Sequence, residues 1–228
     1  MNLTTKYFQS ACHLPLGRLG RAFLLIFWLA GGGFAAAQKP ATQEQQSAII
    51  NEITTTVKDI RTLQCSFQQT KILSIMNDKM VSQGIMTFAQ PARLRWAYTS
   101  PYSYTFIIND DKVLISKGSK RNSIDIKSSQ VFQEIARLMA GSVTGRLLTQ
   151  TKDFTVKIFI SDKSYISTLT PKDKRLKKMF QTIRLHFDRK EKMVTMVEMT
   201  EAGGDDTIIE FRDVQQNKAI SEKAFTLD

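Results

Sequence analysis

The sequence predicts a mainly β fold with α: one strongly curved antiparallel sheet whose concave face is covered by helices. Three observations predict it. From Leu63 onward the apolar residues recur with period two in short runs, the spacing of strands with one buried face. Turn signals separate the runs by only a few residues, which implies antiparallel neighbours. Two stretches instead carry the helical 3.6 period, one before the strands and one among them. A closed eight-stranded barrel is the nearest alternative.

The N-terminus comes first. Of 32 Lys and Arg, three (Lys6, Arg18 and Arg21) lie in the first 37 residues, which hold no acid. Ala22–Ala30 is an apolar run, followed by Gly31–Gly33 and Ala35-Ala36-Ala37. Positive residues, a short apolar core and an A-x-A site describe a secretory signal peptide. Cleavage is expected after Ala37, with 1–37 as the signal and 38–228 as a single domain. Ala22–Ala37 is shorter than the roughly 20 residues a spanning helix needs. A lipoprotein would need Cys at the new N-terminus, where Gln38 stands. An exported protein is expected. The remaining 29 cations face 21 acids, a net charge of +8. Only Cys65 is left, so no intramolecular disulfide is available, and only His186 among histidines.

Thr42-Gln43-Glu44-Gln45 reads as a capping box. Ile49, Ile50, Ile53, Val57 and Ile60 follow at helical spacing, predicting an amphipathic helix over about 43–60. Strands are expected at Leu63–Ile75, Met80–Ala89, Leu94–Thr99, Tyr104–Ile108 and Lys112–Ser116, with Arg121–Ile126 as one more. Ser128–Ala140 carries Val131, Phe132, Ile135, Leu138 and Met139 at helical spacing, and Gly141 suits its C-terminal cap. Ser142–Leu148 is ambiguous. Strands return at Phe154–Ile160, Tyr165–Leu169, Met179–Phe187, Met193–Thr200 and Thr207–Arg212, with a hairpin turn at Gly203-Gly204. The tail Ala219–Leu227 is weakly patterned.

Gly84–Pro101 is the stretch with most to say. Leu94, Trp96 and Tyr98 share one face of their strand, and Arg93 and Arg95 the other. Gly84, Met86 and Phe88 share a face on the preceding run, and Tyr104, Phe106 and Ile108 on the next. Pro91 belongs at a strand end. Three runs with bulky, partly aromatic faces need a core or a ligand. Methionines accompany them (Met76, Met80, Met86, Met179, Met193, Met196, Met199), and Met adapts to variable apolar shapes. Together they suit an adaptable apolar cavity.

Much chemistry is excluded. One His and one Cys cannot assemble a Cys/His metal set, and no cofactor motif occurs. Asp110-Asp111 and Asp205-Asp206 read as turn acids. His186 alternates outward from Ile183, Leu185 and Phe187, a poor place for a catalytic base. The sequence therefore argues against an enzyme. Export argues against nucleic acid. The run Lys172-Asp173-Lys174-Arg175-Leu176-Lys177-Lys178 is expected as a solvated hairpin loop, with an anionic membrane or acidic partner as the functional reading.

With these pieces in place, the chain resembles the LolA family of periplasmic lipoprotein carriers. The resemblance rests on the signal peptide, Phe67-Gln68-Gln69-Thr70-Lys71, Gly84–Pro101, Asn109-Asp110-Asp111-Lys112-Val113-Leu114, Leu169-Thr170-Pro171-Lys172 and Ala224-Phe225-Thr226. It implies an unclosed β-barrel with helices as a lid, and a cavity for the acyl chains of lipoproteins. It implies partners: acylated lipoproteins, an inner-membrane ABC-type release complex and an outer-membrane acceptor. A monomer without a cofactor is expected. The lipid-lining residues expected on this basis are Phe67, Met86, Phe88, Leu94, Trp96, Tyr98, Tyr104 and Phe106. The expected lid contacts are Gln90, Ile53, Val57, Phe132 and Ile135. Gln90 is a departure, since the resemblance implies Arg before Pro91, tying strand to lid. The competing readings are a lipid- or lipoprotein-sensing module of similar fold and an exported hydrolase.

Overall fold

The computed structural model describes residues 38–226 except 77, 92, 110–111, 118–119, 126–137 and 143, with backbone alone for 121–125. The expected leader, the lid residues Phe132 and Ile135, and the turn acids Asp110-Asp111 lie outside the described residues.

Helix α1 (Gln43–Lys58) starts where the capping box places it. Thr42 Oγ1 accepts from the Gln45 N–H at 3.2 Å, and Gln45 Oε1 accepts from the Thr42 N–H at 2.9 Å. Its stripe Ile49, Ile53 and Val57 is buried. After it, every run of period two becomes a strand: β2 (Thr62–Leu73), β3 (Asp78–Ala89), β4 (Arg93–Ser100), β5 (Tyr104–Asn109), β6 (Lys112–Lys117) and β7 (Lys120–Asp125). Residues 138–142 are helical, and Arg146–Thr149 forms a 3₁₀ turn within the ambiguous stretch. Strands resume with β8 (Phe154–Ile160), β9 (Ser164–Pro171), β10 (Phe180–Asp188), β11 (Val194–Glu201) and β12 (Asp206–Gln216). One strand had no periodic signal. Lys39–Pro40, here β1, pairs with β8 through only two residues.

The described strands form one antiparallel sheet in the order β1-β8-β9-β10-β11-β12-β2-β3-β4-β5-β6-β7. β1 and β7 are its edges and do not pair with each other, so the barrel is unclosed. The register aligns apolar residues into rows across the concave face. One row is Phe67, Gly84, Tyr98 and Tyr104; the next is Cys65, Met86, Trp96 and Phe106; the third is Leu63, Phe88, Leu94 and Ile108. On the other half of the sheet Leu169, Ile183, Met199 and Thr207 align, as do Ser167, Leu185, Val197 and Ile209. A single large core holds both halves together with the α1 stripe.

Two expectations change. The basic run is not a plain loop: Lys174–Lys177 is a helical turn, and Asp173 Oδ1 accepts from the Arg175 and Leu176 N–H groups. Those N–H groups hold the Asp173 carboxyl below the usual range. Leu176, 1% exposed, pins the turn to the core. The weakly patterned tail also docks. Glu222–Phe225 is a 3₁₀ turn, and Phe225 is buried on the convex side against Ala89 and Ile107. Arg93 pairs with Glu222 and stacks 4.9 Å from the Phe225 ring centroid. Arg95 donates to the Ala224 carbonyl at 3.2 Å, and Asn109 to the Phe225 carbonyl at 3.2 Å. The cationic face of β4 is thus the grip for the tail.

Candidate functional site

The aromatic wall begins with a gap left by a glycine. A Cβ on Gly84 would collide with the Phe67 ring and with the Ala97 carbonyl oxygen. Glycine lets the Phe67 ring lie across the strand. There Phe67 meets Trp96 at 4.2 Å between ring centroids and Tyr98 edge-on at 5.3 Å. Trp96 meets Phe211 edge-on at 6.1 Å, which links β4 to β12 through the interior. The two edge-on pairs are arrangements that ring quadrupoles favour, and the Phe67–Trp96 rings are tilted by 31°.

Against this wall lies a cavity of about 200 Å³. Trp96 and Tyr98 line one side; Phe180, Ile183, Val197, Met199, Ile209 and Phe211 line the other. Leu138, Met139 and Ser142, from the helical residues 138–142, border it too. The lining is almost wholly apolar. Among the polar exceptions, Tyr98 Oη donates to Gln69 Oε1 at 2.9 Å, with Gln69 itself in the lining, and Ser142 Oγ donates to the Leu138 carbonyl at 2.7 Å. Burial pushes the Tyr98 phenol above its ordinary value, so it stays a neutral donor.

Of the expected lining residues, Trp96 and Tyr98 border the cavity. Phe67, in the row of Tyr98, braces both rings. Met86, Phe88, Leu94 and Phe106 are buried in the packed core and do not border the cavity. Tyr104 is half-buried, 6.0 Å from the Tyr98 ring. Sequence reasoning missed the wall from β10 to β12. Its signal was present as the shared parity of Ile183, Val197, Met199, Ile209 and Phe211, but these strands carry fewer aromatics. Met199 borders the cavity, whereas Met76 and Met80 are exposed.

The expected lid contacts divide likewise. Ile53 and Val57 are buried beneath α1, next to Gly145 and Phe187. Gly145 has φ +64°, and a side chain there would press on Ile53. Gln90 reaches the end of α1, its Nε2 donating to the Ile60 carbonyl at 2.8 Å and the Lys58 carbonyl at 3.3 Å. A second carboxamide shares this task. Asn217 Nδ2 donates to the Asp59 carbonyl at 3.3 Å, and its Oδ1 accepts from the Arg61 N–H at 2.8 Å. Helix C-termini leave carbonyls without intrahelical donors, and these two amides supply them. Asn217 had no visible motif; its φ of +55° is a value Asn tolerates better than most residues.

Other titratable groups lie away from the cavity. His186 is on the convex face, as its alternation requires, but buried, with Nε2 3.4 Å from Glu198 Oε2. His186, then Arg184 at 3.0 Å, holds the Glu198 carboxyl below the usual range. Burial, with Asp213 nearby, pushes the Cys65 thiol up to about 12. No group of three or more metal-ligating side chains occurs among the described residues.

An unclosed antiparallel sheet with an apolar cavity under helical cover defines a container for apolar groups. The chain belongs to the family of the outer membrane lipoprotein carrier protein LolA, whose model matches residues 58–228. An outer-membrane lipoprotein carrier protein of Chromohalobacter salexigens is 23% identical over 191 residues, covering 83% of this chain and 87% of that one. One from Pseudomonas aeruginosa is 25% identical, covering 92% and 95%. Among solved structures, the Pseudomonas aeruginosa MucA/MucB complex aligns with a TM-score of 0.50 at 14% identity. It covers 80% of this chain and 61% of that one, a likeness of fold alone.

Proposed function

We propose that this protein is a periplasmic carrier that binds the acyl chains of lipoproteins in its cavity and shuttles them from the inner to the outer membrane. The observation that carries this reading is the apolar cavity between β4 and β10–β12, in a chain of the lipoprotein-carrier family. Acyl chains cannot cross an aqueous compartment exposed, because each buried CH₂ is worth about 0.8 kcal/mol. An enclosed apolar cavity of about 150 Å³ takes a benzene, so 200 Å³ takes on the order of eight carbons. That corresponds to roughly 6 kcal/mol, enough to hold cargo and weak enough to release it. A longer chain exceeds the space, so loading requires residues 138–142 to lift from the cavity. The ligand-contacting set we propose is Trp96 and Tyr98 with Ile183, Val197, Met199, Ile209 and Phe211, over a core built on Phe67, Met86, Phe88, Leu94, Tyr104 and Phe106. Gln90, Ile53 and Val57 hold the α1 side of the lid.

In this reading the chain is exported by residues 1–37, cleaved after Ala37, and works as a monomer without enzymatic chemistry. It loads at an ABC-type release complex of the inner membrane. The test is purification from the envelope fraction followed by mass spectrometry of bound lipid and protein, together with fluorescence of Trp96. Trp28 leaves with the leader, so Trp96 is the only tryptophan of the mature chain. Acylated cargo and a Trp96 response to acyl ligand are expected. Protein free of acylated cargo, with Trp96 silent, would overturn the reading.

A further inference from the structure

The hairpin β2–β3 ends in an apolar tip that the fold does not cover. Ile75 is 94% exposed, Met76 66%, Met80 54% and Val81 49%. Pairing of β2 with β3 continues to Leu73 and Asp78, but β4 stops at Ser100, opposite Gln83. Residues 78–82 therefore run on without a β4 partner, about 17 Å of strand at ~3.4 Å per residue. An apolar group of this size in water marks a contact surface.

The same edge of the sheet carries charge. Asp206 pairs with Ile72, and Phe180 with Glu201, so the β11–β12 and β9–β10 connections leave the sheet where the β2–β3 tip does. The β4–β5 turn leaves there too and presents Tyr102, 76% exposed. The β9–β10 connection holds Lys172, Lys174, Arg175, Lys177 and Lys178, all exposed, against one acid, Asp173. Its capped turn and buried Leu176 fix these cations to the body of the protein. The acids of the β11–β12 turn are already engaged, Glu201 and Asp205 by Lys71 at 2.9 and 3.8 Å, and Asp206 by Thr200. Phe180 and Met199 bring the cavity lining to this edge.

We propose that this edge docks on an anionic bilayer. Ile75, Met76, Met80 and Val81 enter the boundary between headgroups and acyl chains, while the Lys172–Lys178 turn lies on the headgroups. A bilayer is favoured over a protein groove because the apolar groups lie on both faces of the hairpin. Met80 has the concave parity of Met86, and Val81 the opposite one. A groove receives one face, whereas lipid surrounds both. Interfacial binding of this kind needs buried apolar area together with attraction to anionic lipid, and both are present. Resting on the carrier reading, docking here delivers cargo to lipid directly, through the edge nearest the cavity.

The test is sedimentation of the exported chain, purified from the envelope fraction, with vesicles of phosphatidylethanolamine and phosphatidylglycerol, and with phosphatidylcholine alone. Binding to the anionic vesicles, falling with salt, is expected. Ile75→Ser with Met76→Ser should weaken it about a hundredfold, since each side chain contributes roughly tenfold on burial. Lys174→Gln with Lys177→Gln should weaken it roughly thirty-fold at low salt, slightly over fivefold per cation. These side chains are exposed, so circular dichroism melts should match those of the unsubstituted chain. As an independent readout, an environment-sensitive dye on Met76→Cys should shift to the blue on anionic vesicles; Cys65, 2% exposed, does not compete for the label. Absence of vesicle binding at low salt, or binding indifferent to the tip substitutions, overturns the proposal. So does capture of a soluble envelope protein by the tip while vesicles are ignored. The assay uses no cargo, so its failure is distinct from failure of the carrier reading, which mass spectrometry of bound acyl groups decides.

Discussion

Gly84→Ala is the most searching test of the aromatic wall. The new methyl group would collide with the Phe67 ring and the Ala97 carbonyl oxygen, closer than the 3.0 Å that real Cβ atoms respect. The ring can rotate only by giving up its contacts with Trp96 and Tyr98. The carbonyl belongs to β4 and moves only with the β3–β4 pairing. Overpacking of this kind costs about 1–3 kcal/mol, and a backbone obstacle puts the value near the top. Replacing glycine by alanine within a strand returns about 0.5–1 kcal/mol through the unfolded chain. The net destabilisation is therefore about 2 kcal/mol. For a domain of this size each kcal/mol lowers Tm by about 2–4 °C, so the expected drop is about 4–8 °C. The assay is a thermal melt followed by circular dichroism, with Trp96 emission recorded in parallel. Adding Phe67→Leu should restore only part of the loss, because the Ala97 carbonyl remains. A variant that melts with or above the parent, Trp96 emission unchanged, would refute the reasoning.

Further outcomes are expected. Gln90→Leu removes the donor to the Ile60 and Lys58 carbonyls at a cost of about 1 kcal/mol; Asn217 retains the rest of the clamp, so cargo release should change only modestly. Gln90→Arg adds a charge-assisted donor at the negative end of α1 and should favour the closed, empty state, read as weaker loading in a cargo-transfer assay, with a severe release defect in Gln90→Leu as the contrary result. Phe225→Ala should destabilise by about 3–5 kcal/mol in urea titrations, as for a fully buried ring, whereas a solvated tail would cost almost nothing. Glu198 has a depressed pKa in the folded state, so its contribution to stability is complete above the ordinary carboxylate range and is lost as pH falls through the depressed value. Glu198→Gln should therefore lower the urea midpoint at pH 7, with the gap to the parent closing as pH falls below the ordinary carboxylate range and through the depressed value; a gap independent of pH would count against the ion pair.

Strands were legible because one buried face imposes period two, and the register aligned Met86, Trp96 and Phe106 as that parity required. The capping box fixed the start of α1 in the same local way. What escaped depends on partners distant in sequence. The tail reads as weakly patterned because one 3₁₀ turn has no period, and its receptor is the reverse face of β4–β5. A trace of it was visible in Ile107 and Leu114, apolar residues on the face opposite Phe106. Methionine content indicated an adaptable surface without an address, so Met76 and Met80 were assigned to a cavity though they belong to the exposed tip. Asn217 closes α1 across 158 residues of chain, a distance no local motif spans.

The docked tail makes the two cavity walls mechanically unequal. β4 and β5 carry packed side chains on both faces, Trp96 and Phe106 inside, and Ile107 under Phe225 outside. Behind β10 and β11 stand polar and ionic groups, Arg184, Glu198 and Thr195, which can slide against water as the strands bend. A well-packed layer resists strain, whereas a hydrated one yields. Swelling on loading should therefore be taken up by the β10–β12 wall, with the aromatic wall as the fixed jaw. On the carrier reading, the C-terminal turn, remote from the cavity, sets which side of the container gives way.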